Sequence, residues 1–241
     1  MSIIINQLET ERFGVICARE EFLNTNLQAI NNAAHKEDVS MVSTRVDVTN
    51  TERIHALEKD GYHLMDTLVY FGCSLENLKT TKTTPTGIVV RMASFSDKDA
   101  VLVIAKEAFR NYFGHYHTDP KLDNNAADKV YIQWAGNCIS NMSYDTPVLI
   151  AEKKGQVVGF LAMRLNSPEE GEIVLNGVLP DHQGQGIYSS LFEQSKHTLS
   201  EISAKRAIVS TQINNYAVQK VWVRSGLVLE HSYYTFHKWY D

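Results

Sequence analysis

The stretch Glu172–Tyr188, EIVLNGVLPDHQGQGIY, decides the fold of this chain. Its apolar first half predicts a strand, and Pro180 ends that strand because proline has no N–H to donate to a neighbour. Gly184 and Gly186 then form a short polar loop, and the amphipathic pattern after it predicts a helix that begins at Ile187. The order strand, glycine loop, helix is typical of α/β folds.

A glycine loop between a strand and a helix is well suited to bind phosphate. Unpaired backbone N–H groups point outward there, and the helix dipole adds partial positive charge. The two glycines also have a plainer use, which is to ease a tight connection. Two common phosphate motifs are excluded. GxxxxGKS/T is absent, and Glu193 and Glu201 come too early, on the helix itself, to be the acidic residue of a dinucleotide site.

Hydrophobic periodicity extends the prediction to both sides of this stretch. Lys154 and Gly155 form a hairpin signal between two earlier strands. Hairpins that lead into a β–α–β unit predict an α/β fold with a mixed sheet. The predicted elements beyond residue 86 are strands at 88–92, 148–153, 156–165, 172–178, 207–211 and 232–239, and helices at 96–112, 125–141, 187–200 and 215–225.

Residues 74–86, SLENLKTTKTTPT, interrupt the periodicity and indicate a linker. We therefore divide the chain into an N-terminal α/β domain at 1–85 and a second domain at 86–241. The N-terminal part is predicted to hold strands at 13–18, 41–48 and 62–71 and helices at 22–36 and 51–59.

Two segments on either side of this boundary resemble each other. Asn50 precedes Gly61 by eleven residues, and Asn215 precedes Gly226 by eleven, each pair framing a predicted helix between strands. Any capped helix that ends before a glycine has such a pattern, because the cap and the left-handed position require those residue types. The alternative is that the N-terminal part is a degenerate half-copy of the C-terminal domain.

The composition is that of an ordinary globular protein. Of 241 residues 44% are hydrophobic and 21% charged, with 13 Gly and 5 Pro, which excludes collagen-like and disordered classes. The net charge is −5 without runs of like charge, so nucleic acid is not an expected partner. An anionic substrate would need a local device such as a helix N-terminus.

Neither a membrane span nor a signal peptide is expected, so we predict a cytoplasmic protein. Cys17, Cys73 and Cys138 are far apart and outside any CxxC pattern, which argues against disulfides and against a zinc site. The oligomeric state stays open, and a homo-oligomer fits the sequence as well as a monomer.

The segment from Leu179 to Tyr188 resembles the pyrophosphate motif of the GNAT superfamily of acyl-CoA N-acyltransferases. Gln183 and Gly186 occupy the first two fixed positions of that motif, and Tyr188 stands where the family has Gly or Ala. The resemblance implies acyl-CoA as a co-substrate, with no tightly bound cofactor. The residues that it implies for acyl-CoA binding are Val178, Gln183, Gly184, Gln185, Gly186, Ile187, Tyr188 and Asn215.

A second segment, residues 215–227, resembles the family's next motif, in which an Asn, a small residue, an aromatic residue and a Gly recur. These positions are occupied by Asn215, Val218, Trp222 and Gly226. The aromatic residue is usually a Tyr that protonates the leaving sulfur, whereas the Trp222 indole donates a hydrogen bond but is no proton acid. The alternative proton donors are Tyr216, Tyr188 and Tyr233.

Other segments resemble the dTDP-fucosamine acetyltransferase group, whose members acylate the amine of nucleotide-linked 6-deoxy sugars. They are FGV at 13–15, YIQWAGN at 131–137, TQ at 211–212 and RSG at 224–226. The resemblance implies a GNAT fold preceded by a truncated GNAT-like unit. It also implies a dTDP-linked amino-dideoxy sugar as substrate, for a surface polysaccharide such as O-antigen.

Acyl transfer from a thioester to an amine needs a neutral amine and a stabilised oxyanion. Glu172 matches the glutamate that is the general base in some family members; otherwise it is a solvated carboxylate after a turn. The backbone N–H of Val178 is the expected oxyanion donor, since Gly177 and Pro180 interrupt strand pairing there. In a regular strand Asn176 shares a face with Val174, where it contacts substrate or is an edge residue.

Residues 111–120, NYFGHYHTDP, place three aromatic rings and two histidines between two predicted helices. Aromatic faces stack bases and sugars, and histidine binds phosphate, so we expect the acceptor here. The candidate residues are Tyr112, His115, Tyr116 and His117. The alternative is a loop folded on its own rings. No metal is expected, because the two histidines have no evident third ligand.

Two other functions fit the same residues. The acceptor could be a peptide or another small amine, and Trp222 in place of Tyr would permit a catalytically silent acyl-CoA-binding module. The N-terminal portion favours the sugar, because a peptide enzyme has less need of it. Val218 and Trp222 reshape the pocket near the thioester, so acyl groups larger than acetyl, such as a hydroxyacyl, are also expected.

Overall fold

The computed structural model describes residues 2–76, 85–110 and 112–240. Residues 77–84 of the expected linker, and residue 111 of the aromatic stretch, therefore lie outside the described residues. None of the helices in these ranges is long and apolar enough to cross a membrane.

Strands and helices alternate along most of the described chain. The strands are β1 (Ile3–Ile5), β2 (Cys17–Glu20), β3 (Met41–Asp47), β4 (His63–Ser74), β5 (Ile88–Met92), β6 (Val148–Lys153), β7 (Gln156–Ser167), β8 (Glu170–Val178), β9 (Arg206–Gln212) and β10 (Val228–Trp239). The α-helices are α1 (Gln7–Phe13), α2 (Leu27–Lys36), α3 (Thr51–Lys59), α4 (Lys98–Ala108), α5 (His115–Thr118), α6 (Asn124–Ser140), α7 (Ile187–Glu201) and α8 (Tyr216–Arg224).

The predicted and observed elements differ most at the N-terminus. The prediction lacks β1 and α1, and Phe13, expected to open a strand, is the last residue of α1. The Asn6 side chain caps α1, and Gly14 ends it in the left-handed conformation at φ 69°. A helix of two turns shows too little periodicity to be recognised. Helix α2 begins at Leu27, later than expected, because Asn26 is its N-cap.

The described strands form one mixed sheet in the order β1-β2-β3-β10-β4-β9-β8-β7-β6-β5. Strands β5 to β8 pair as antiparallel neighbours, and β8 pairs with β9 in parallel through the crossover helix α7. Lys154 and Gly155 form the predicted two-residue turn, with φ values of 51° and 77°. The expected α/β fold with a mixed sheet is confirmed.

Two halves of the sheet repeat the same order of elements and the same pairing. β1 and β2 are antiparallel, β2 and β3 are parallel, and α3 leads to β4. In the same way β7 and β8 are antiparallel, β8 and β9 are parallel, and α8 leads to β10. Asn50 and Asn215 cap α3 and α8, and Gly61 and Gly226 follow those helices at φ 85° and 87°. The repeated sequence spacing corresponds to a repeated unit of structure.

The two units exchange their last strands. β10 lies between β3 and β4 and is antiparallel to both, while β4 lies between β10 and β9. Each unit thereby receives from the other the strand that fills the space between its own last two strands. The backbone hydrogen bonds of all four strands depend on this exchange.

Helices cover both faces of the sheet. Tyr234 on β10 packs in the cluster under α2 and α3, and it pairs with Thr67 on β4. Val69, two residues after Thr67 on the same strand, packs in the cluster under α7 and α8. Side chains two residues apart on a strand share a face, so these four helices cover one side, called here the back face. Helices α1, α4, α5 and α6 lie against the opposite side, the front face.

Phe236 on β10 is 1% exposed and packs in the cluster under α2 and α3. We expect Phe236→Ala to lower the free energy of unfolding by about 3–5 kcal/mol, because it opens a cavity beneath a strand shared by both units. Urea unfolding measures the loss, and hydrogen exchange should show reduced protection in β3 and β9 alike.

The matched control is Phe22→Ala. Because the Phe22 side chain is 67% exposed, its removal should change the free energy of unfolding by less than about 0.5 kcal/mol. If Phe236→Ala reduced protection in β3 but left β9 unchanged, the two units would not be coupled through β10.

Candidate active site

The loop between β8 and α7 has the conformation that its glycines predict. Pro180–His182 form a turn of 3-10 helix, and Gly184 and Gly186 adopt left-handed conformations at φ 71° and 82°. The Gln183 side chain donates a hydrogen bond of 3.2 Å to the carbonyl of Val178, which closes the loop on the end of β8.

Helix α7 begins directly after this loop with free backbone N–H groups. Its N-cap, Gly186, has no side chain to bond to the first turn. The N–H groups of Ile187, Tyr188 and Ser189 therefore have no partner within the helix and point toward the loop, at the positive end of the dipole. Gln185, hydrogen-bonded to Lys153, borders this helix end. Such an arrangement can bind a phosphate group.

A gap opens between β8 and β9 just before the glycine loop. The last paired residues are Ile173 and Val209, so β8 continues to Val178 without β9 beside it. The Leu179 N–H bonds to the Val158 carbonyl at 2.9 Å, which makes Gly159 and Val178 a non-hydrogen-bonded pair of β7 and β8. The N–H of Val178 therefore points away from β7 into the gap. The divergence of β9 frees this N–H, whereas the prediction attributed its freedom to interruptions in β8 itself.

A β-bulge in β8 separates two of the predicted site residues. Leu175 pairs with Ala162 and Ile173 with Met163, so Val174 is the extra residue. In a regular strand Glu172 and Asn176 would share a face. The bulge instead places Glu172 on the front face and Asn176 on the back face, and Asn176 does not share a face with Val174.

Glu172 is 9% exposed and forms an ion pair on the front face. Its Oε2 accepts hydrogen bonds from Nε and Nη2 of Arg164 at 3.0 and 2.7 Å. Its Oε1 has no hydrogen-bond partner among the described residues. The carboxylate is therefore oriented by one arginine and keeps one oxygen for another donor.

Trp222 and Tyr188, two of the departures from the family motifs, contact each other. The Trp222 indole, which is 1% exposed, donates a hydrogen bond of 2.6 Å to the Tyr188 hydroxyl and packs edge-on against Phe71. Burial raises the pKa of Tyr188, and the hydrogen bond from Trp222 acts in the opposite direction. The phenol therefore stays protonated at neutral pH, with its oxygen fixed by the indole.

Two other predicted residues lie at the start of α8. Tyr216 is 65% exposed and makes no described hydrogen bond through its side chain. Asn215 donates from Nδ2 to Oγ1 of Thr211 at 3.0 Å, which ties the end of β9 to the helix start. The structure therefore brings Asn215, but not Tyr216, into contact with the end of β9.

Residues 115–118, expected as loop, form the short helix α5 on the front face. The Tyr116 hydroxyl donates to Glu9 of α1, and its ring lies 5.4 Å from that of Phe13. His117 lies 3.1 Å from a carboxylate oxygen of Asp128. These contacts fix α5 to α1 and α6.

Tyr112 belongs to a polar cluster at the end of β9 that sequence analysis missed. Its hydroxyl donates to Oε1 of Gln212, whose Nε2 in turn donates to Oδ2 of Asp66 at 3.3 Å. Burial raises the pKa of Tyr112 to about 12, and the charge of Asp66 adds to this. The TQ at 211–212, one of the segments that resemble the dTDP-fucosamine acetyltransferase group, could have pointed to Gln212. Asp66 lies on β4 of the N-terminal part, where no motif marks it.

His115 ends a buried chain of polar groups that no local pattern reveals. Its Nδ1 lies 2.9 Å from Nε2 of His237, and Nδ1 of His237 lies 2.8 Å from Oδ2 of Asp119. Trp239 donates to the same carboxylate oxygen at 2.9 Å. More than one hundred residues separate the partners in sequence. Within the described part of the chain, no group of three or more His, Cys, Asp or Glu is placed to hold a metal ion.

Gly184 and Gly186 both need the left-handed conformation, but they differ in their surroundings. A Cβ on Gly184 would meet nothing within 4 Å, whereas one on Gly186 would lie 2.8 Å from Cγ of Pro85. We expect Gly184→Ala to lower the free energy of unfolding by about 1–2 kcal/mol through backbone strain alone. Gly186→Ala should cost more, because Pro85 must also move. Chemical denaturation measures both, and equal losses would show that the contact with Pro85 has no weight.

Comparison with known proteins agrees with this geometry. Residues 103–227 match the family described as Acetyltransferase (GNAT) family. The chain is 25% identical over 143 residues to the spore coat polysaccharide biosynthesis protein SpsD of Bacillus subtilis (strain 168), which is 59% of this chain and 48% of that protein. The matched part thus spans about half the length of that relative.

A second relative is matched along most of its length. The chain is 22% identical over 199 residues to the dTDP-fucosamine acetyltransferase of Escherichia coli O6:H1, covering 83% of this chain and 82% of that protein.

A solved structure shares the fold. The GCN5-related N-acetyltransferase from Sphaerobacter thermophilus superimposes with a TM-score of 0.69 at 16% identity, over 98% of this chain and 75% of that one. The family match covers the strand, glycine loop and helix described above together with α8, and on this evidence the chain belongs to the GNAT family of acetyltransferases.

Proposed function

We propose that this protein transfers an acyl group from acyl-CoA to the amine of a dTDP-linked amino-dideoxy sugar, for the synthesis of a surface polysaccharide. The observation that carries the proposal is the gap between β8 and β9. It exposes the Val178 N–H beside a glycine loop and a free helix N-terminus. A phosphate site next to an unpaired N–H suits a thioester that carries a pyrophosphate.

On the donor side, the N–H groups at the start of α7 would hold the pyrophosphate of acyl-CoA. Gly184 and Gly186 let it approach the backbone, while Gln183 and Gln185 border it. The Val178 N–H would stabilise the oxyanion that forms when the amine attacks the thioester. Asn215 orders the neighbouring end of β9.

On the acceptor side, strands β3, β4 and β10 present aromatic rings and a guanidinium on the front face. Tyr70 stacks on His231 with ring centroids 5.0 Å apart, and Tyr233 meets Tyr70 edge-on at 5.6 Å. Arg45 donates to the Tyr70 hydroxyl at 3.3 Å. Such a cluster suits a nucleotide, whose base stacks on rings and whose pyrophosphate pairs with a guanidinium. Of the predicted acceptor residues, Tyr112 and His115 lie on this face beside it.

The names of two relatives support this acceptor. One protein is named for spore coat polysaccharide biosynthesis and the other as a dTDP-fucosamine acetyltransferase.

We also propose that residues 1–85 form an N-terminal GNAT-like domain that contributes to acceptor specificity, and that residues 86–241 form the catalytic domain. Arg45 and Tyr70 belong to the first of these and Tyr233 to the second, so both would contact the acceptor.

In the proposed reaction the acceptor nitrogen loses two protons. An ammonium must lose one to become a nucleophile, and the nitrogen loses the second after it bonds to the acyl carbon. The carbon–sulfur bond breaks and CoA leaves with the electron pair as a thiolate, which one of these protons neutralises. Glu172 is the proposed acceptor of the second proton, through its Oε1.

The test combines a panel of acyl-CoA donors with a panel of amines. Acetyl-CoA and a hydroxyacyl-CoA are offered with dTDP-amino sugars, with peptides and with polyamines, and CoA release and product mass are recorded. An amide of a dTDP-amino sugar is the expected product. Acylation of peptides or polyamines alone would change the acceptor, and acyl-CoA binding without any amide would indicate a silent module.

Glu172→Gln should lower kcat by about 10²-fold at neutral pH, because an amide accepts no proton while its oxygen still bonds to Arg164. The measurement is kcat from pH 6 to 9. Glu170→Gln is the control, because Glu170 is the first residue of β8 and forms an ion pair with Arg206 instead of Arg164. Wild-type turnover of Glu172→Gln across this range would exclude Glu172 as a base.

Trp222→Phe should change kcat/KM by less than tenfold, or about 1.4 kcal/mol of barrier. The indole is no acid, and CoA leaves readily as a thiolate given a thiol pKa of about 8.5. The variant removes the donor to Tyr188 while keeping an aromatic ring against Phe71. A hundredfold loss with the fold intact would mean that the indole N–H acts in the transition state.

A further inference from the structure

Two buried polar atoms on the front face have no hydrogen-bond partner in the described part of the chain. Oδ1 of Asp66 on β4 and Oγ1 of Thr235 on β10 are both buried, and neither has a hydrogen-bond partner among the described residues. The two residues are directly paired across the exchanged strands. Leaving such groups unpaired costs about 1–3 kcal/mol each, so their presence calls for a ligand that donates hydrogen bonds.

Among the described residues, no cation forms an ion pair with the Asp66 carboxylate. Its one described hydrogen bond comes from the neutral amide of Gln212, at 3.3 Å, and Tyr112 holds that amide in place. Arg45, on the same face, bonds to Tyr70 instead. A carboxylate with this surrounding is suited to a ligand that is both positively charged and rich in N–H donors.

The series of hydrogen bonds from Asp119 through His237 to His115 constrains which ring nitrogens of the two histidines carry a proton. Burial raises the pKa of Asp119, but hydrogen bonds from His237 and Trp239 outweigh it, so this carboxylate is ionised and accepts. Nδ1 of His237 must therefore donate to Asp119. In the arrangement in which Nε2 of His237 accepts from Nδ1–H of His115, the Nε2 of His115 keeps its lone pair.

Charged and titratable groups surround His115 from several elements. Burial lowers the pKa of His115 well below its usual value, and His237 on β10, Arg45 on β3 and His117 on α5 lower it further. The Tyr116 ring lies against it, with centroids 3.8 Å apart. His115 is therefore neutral, and a ring nitrogen that carries no proton can accept a hydrogen bond but is a weak base.

His115 and Asp66 belong to one region of the front face. His237, which holds His115, lies two residues beyond Thr235 on β10. Residue 114, which precedes His115, is close to the same cluster, since a Cβ placed there would lie 3.5 Å from Nε2 of Gln212. Burial raises the pKa of Tyr131, the Asp66 carboxylate raises it further, and the Arg45 guanidinium lowers it. Asp66 and Arg45 are therefore both close enough to Tyr131 to act on its hydroxyl.

We infer that Asp66, Thr235 and His115 form the subsite for the ammonium group of the acceptor. Asp66 Oδ1 and Thr235 Oγ1 accept two of its N–H bonds. Nε2 of His115 accepts the third N–H bond with its lone pair, and Asp119 and His237 act as positioning residues that orient the His115 ring. The inference rests on the proposed function, for which it supplies the binding site of the acceptor nitrogen.

The first experiment measures kcat and KM for the acceptor from pH 6 to 9 in Asp66→Asn and His115→Asn. The asparagine amide at residue 115 can still donate to His237 but has no basic lone pair. We expect Asp66→Asn to raise the acceptor KM at least tenfold and to leave the KM for acyl-CoA unchanged. His115→Asn should also raise the acceptor KM about tenfold, because one acceptor of the ammonium is lost, and should leave the KM for acyl-CoA unchanged.

Matched controls are His55→Asn on α3 and Asp99→Asn on α4, which change exposed residues outside the proposed subsite. Both should retain wild-type kinetics, and thermal melting shows whether each variant is folded. If the wild type acylates the amine and folded His115→Asn keeps the acceptor KM within threefold, the assignment of His115 is wrong and the proposed function stands.

A second experiment does not depend on turnover. Nitrogen-15 NMR of labelled histidine follows Nε2 of His115 while a dTDP-amino sugar is added without acyl-CoA. The expected result is a shift in the wild type and none in Asp66→Asn at the same sugar concentration. An unchanged Nε2 resonance in a wild type that binds the sugar by calorimetry would overturn the subsite, whether or not the amine is acylated. Absence of binding would overturn it as well.

Discussion

The structure depends on the antiparallel pairing of β4 with β10, two strands that belong to different repeated units. Neither β3 nor β9 could satisfy its backbone groups without the strand contributed by the other unit. The exchange also builds the floor of the front face, because Asp66 comes from β4 and Thr235 from β10. A site formed on this floor takes residues from both parts of the chain, and neither part alone contains it.

The second constraint is the divergence of β9 from β8. Beyond Ile173 and Val209 the strands separate, which turns the Val178 N–H toward open space beside the helix start. The bulge at Val174 acts together with this gap. It places the Glu172 side chain on the front face, whereas helix α7, which follows the glycine loop, covers the back face. A thioester entering beside α7 and an amine lying on the front face would then meet at the gap from opposite directions.

Much of the fold, including the loop and helix of the proposed donor side, could be predicted because the signals are local. Glycines at left-handed positions, an N-cap and a strand-ending proline act within a few residues of where they stand, so the loop at 183–186 and helix α7 were predicted correctly. The repeat between Asn50 and Asn215 was also visible, as spacing. Helix α1 was missed because its two turns carry too little periodicity.

The proposed acceptor side could be predicted only in part from the sequence, for a physical reason. His115 and Tyr112 were recognised by residue type, but their partners come from distant strands: His237 is 122 positions away from His115, and Gln212 is 100 positions away from Tyr112. The sequence alone determined the strand, glycine loop and helix, the α/β class and the family motifs, because these depend on neighbours along the chain. Only the tertiary structure decided the exchange of β4 and β10, the face on which each side chain lies and the unpaired oxygen of Asp66. Each of those is set by which strands pair and in which register, and that choice is made by the whole sheet.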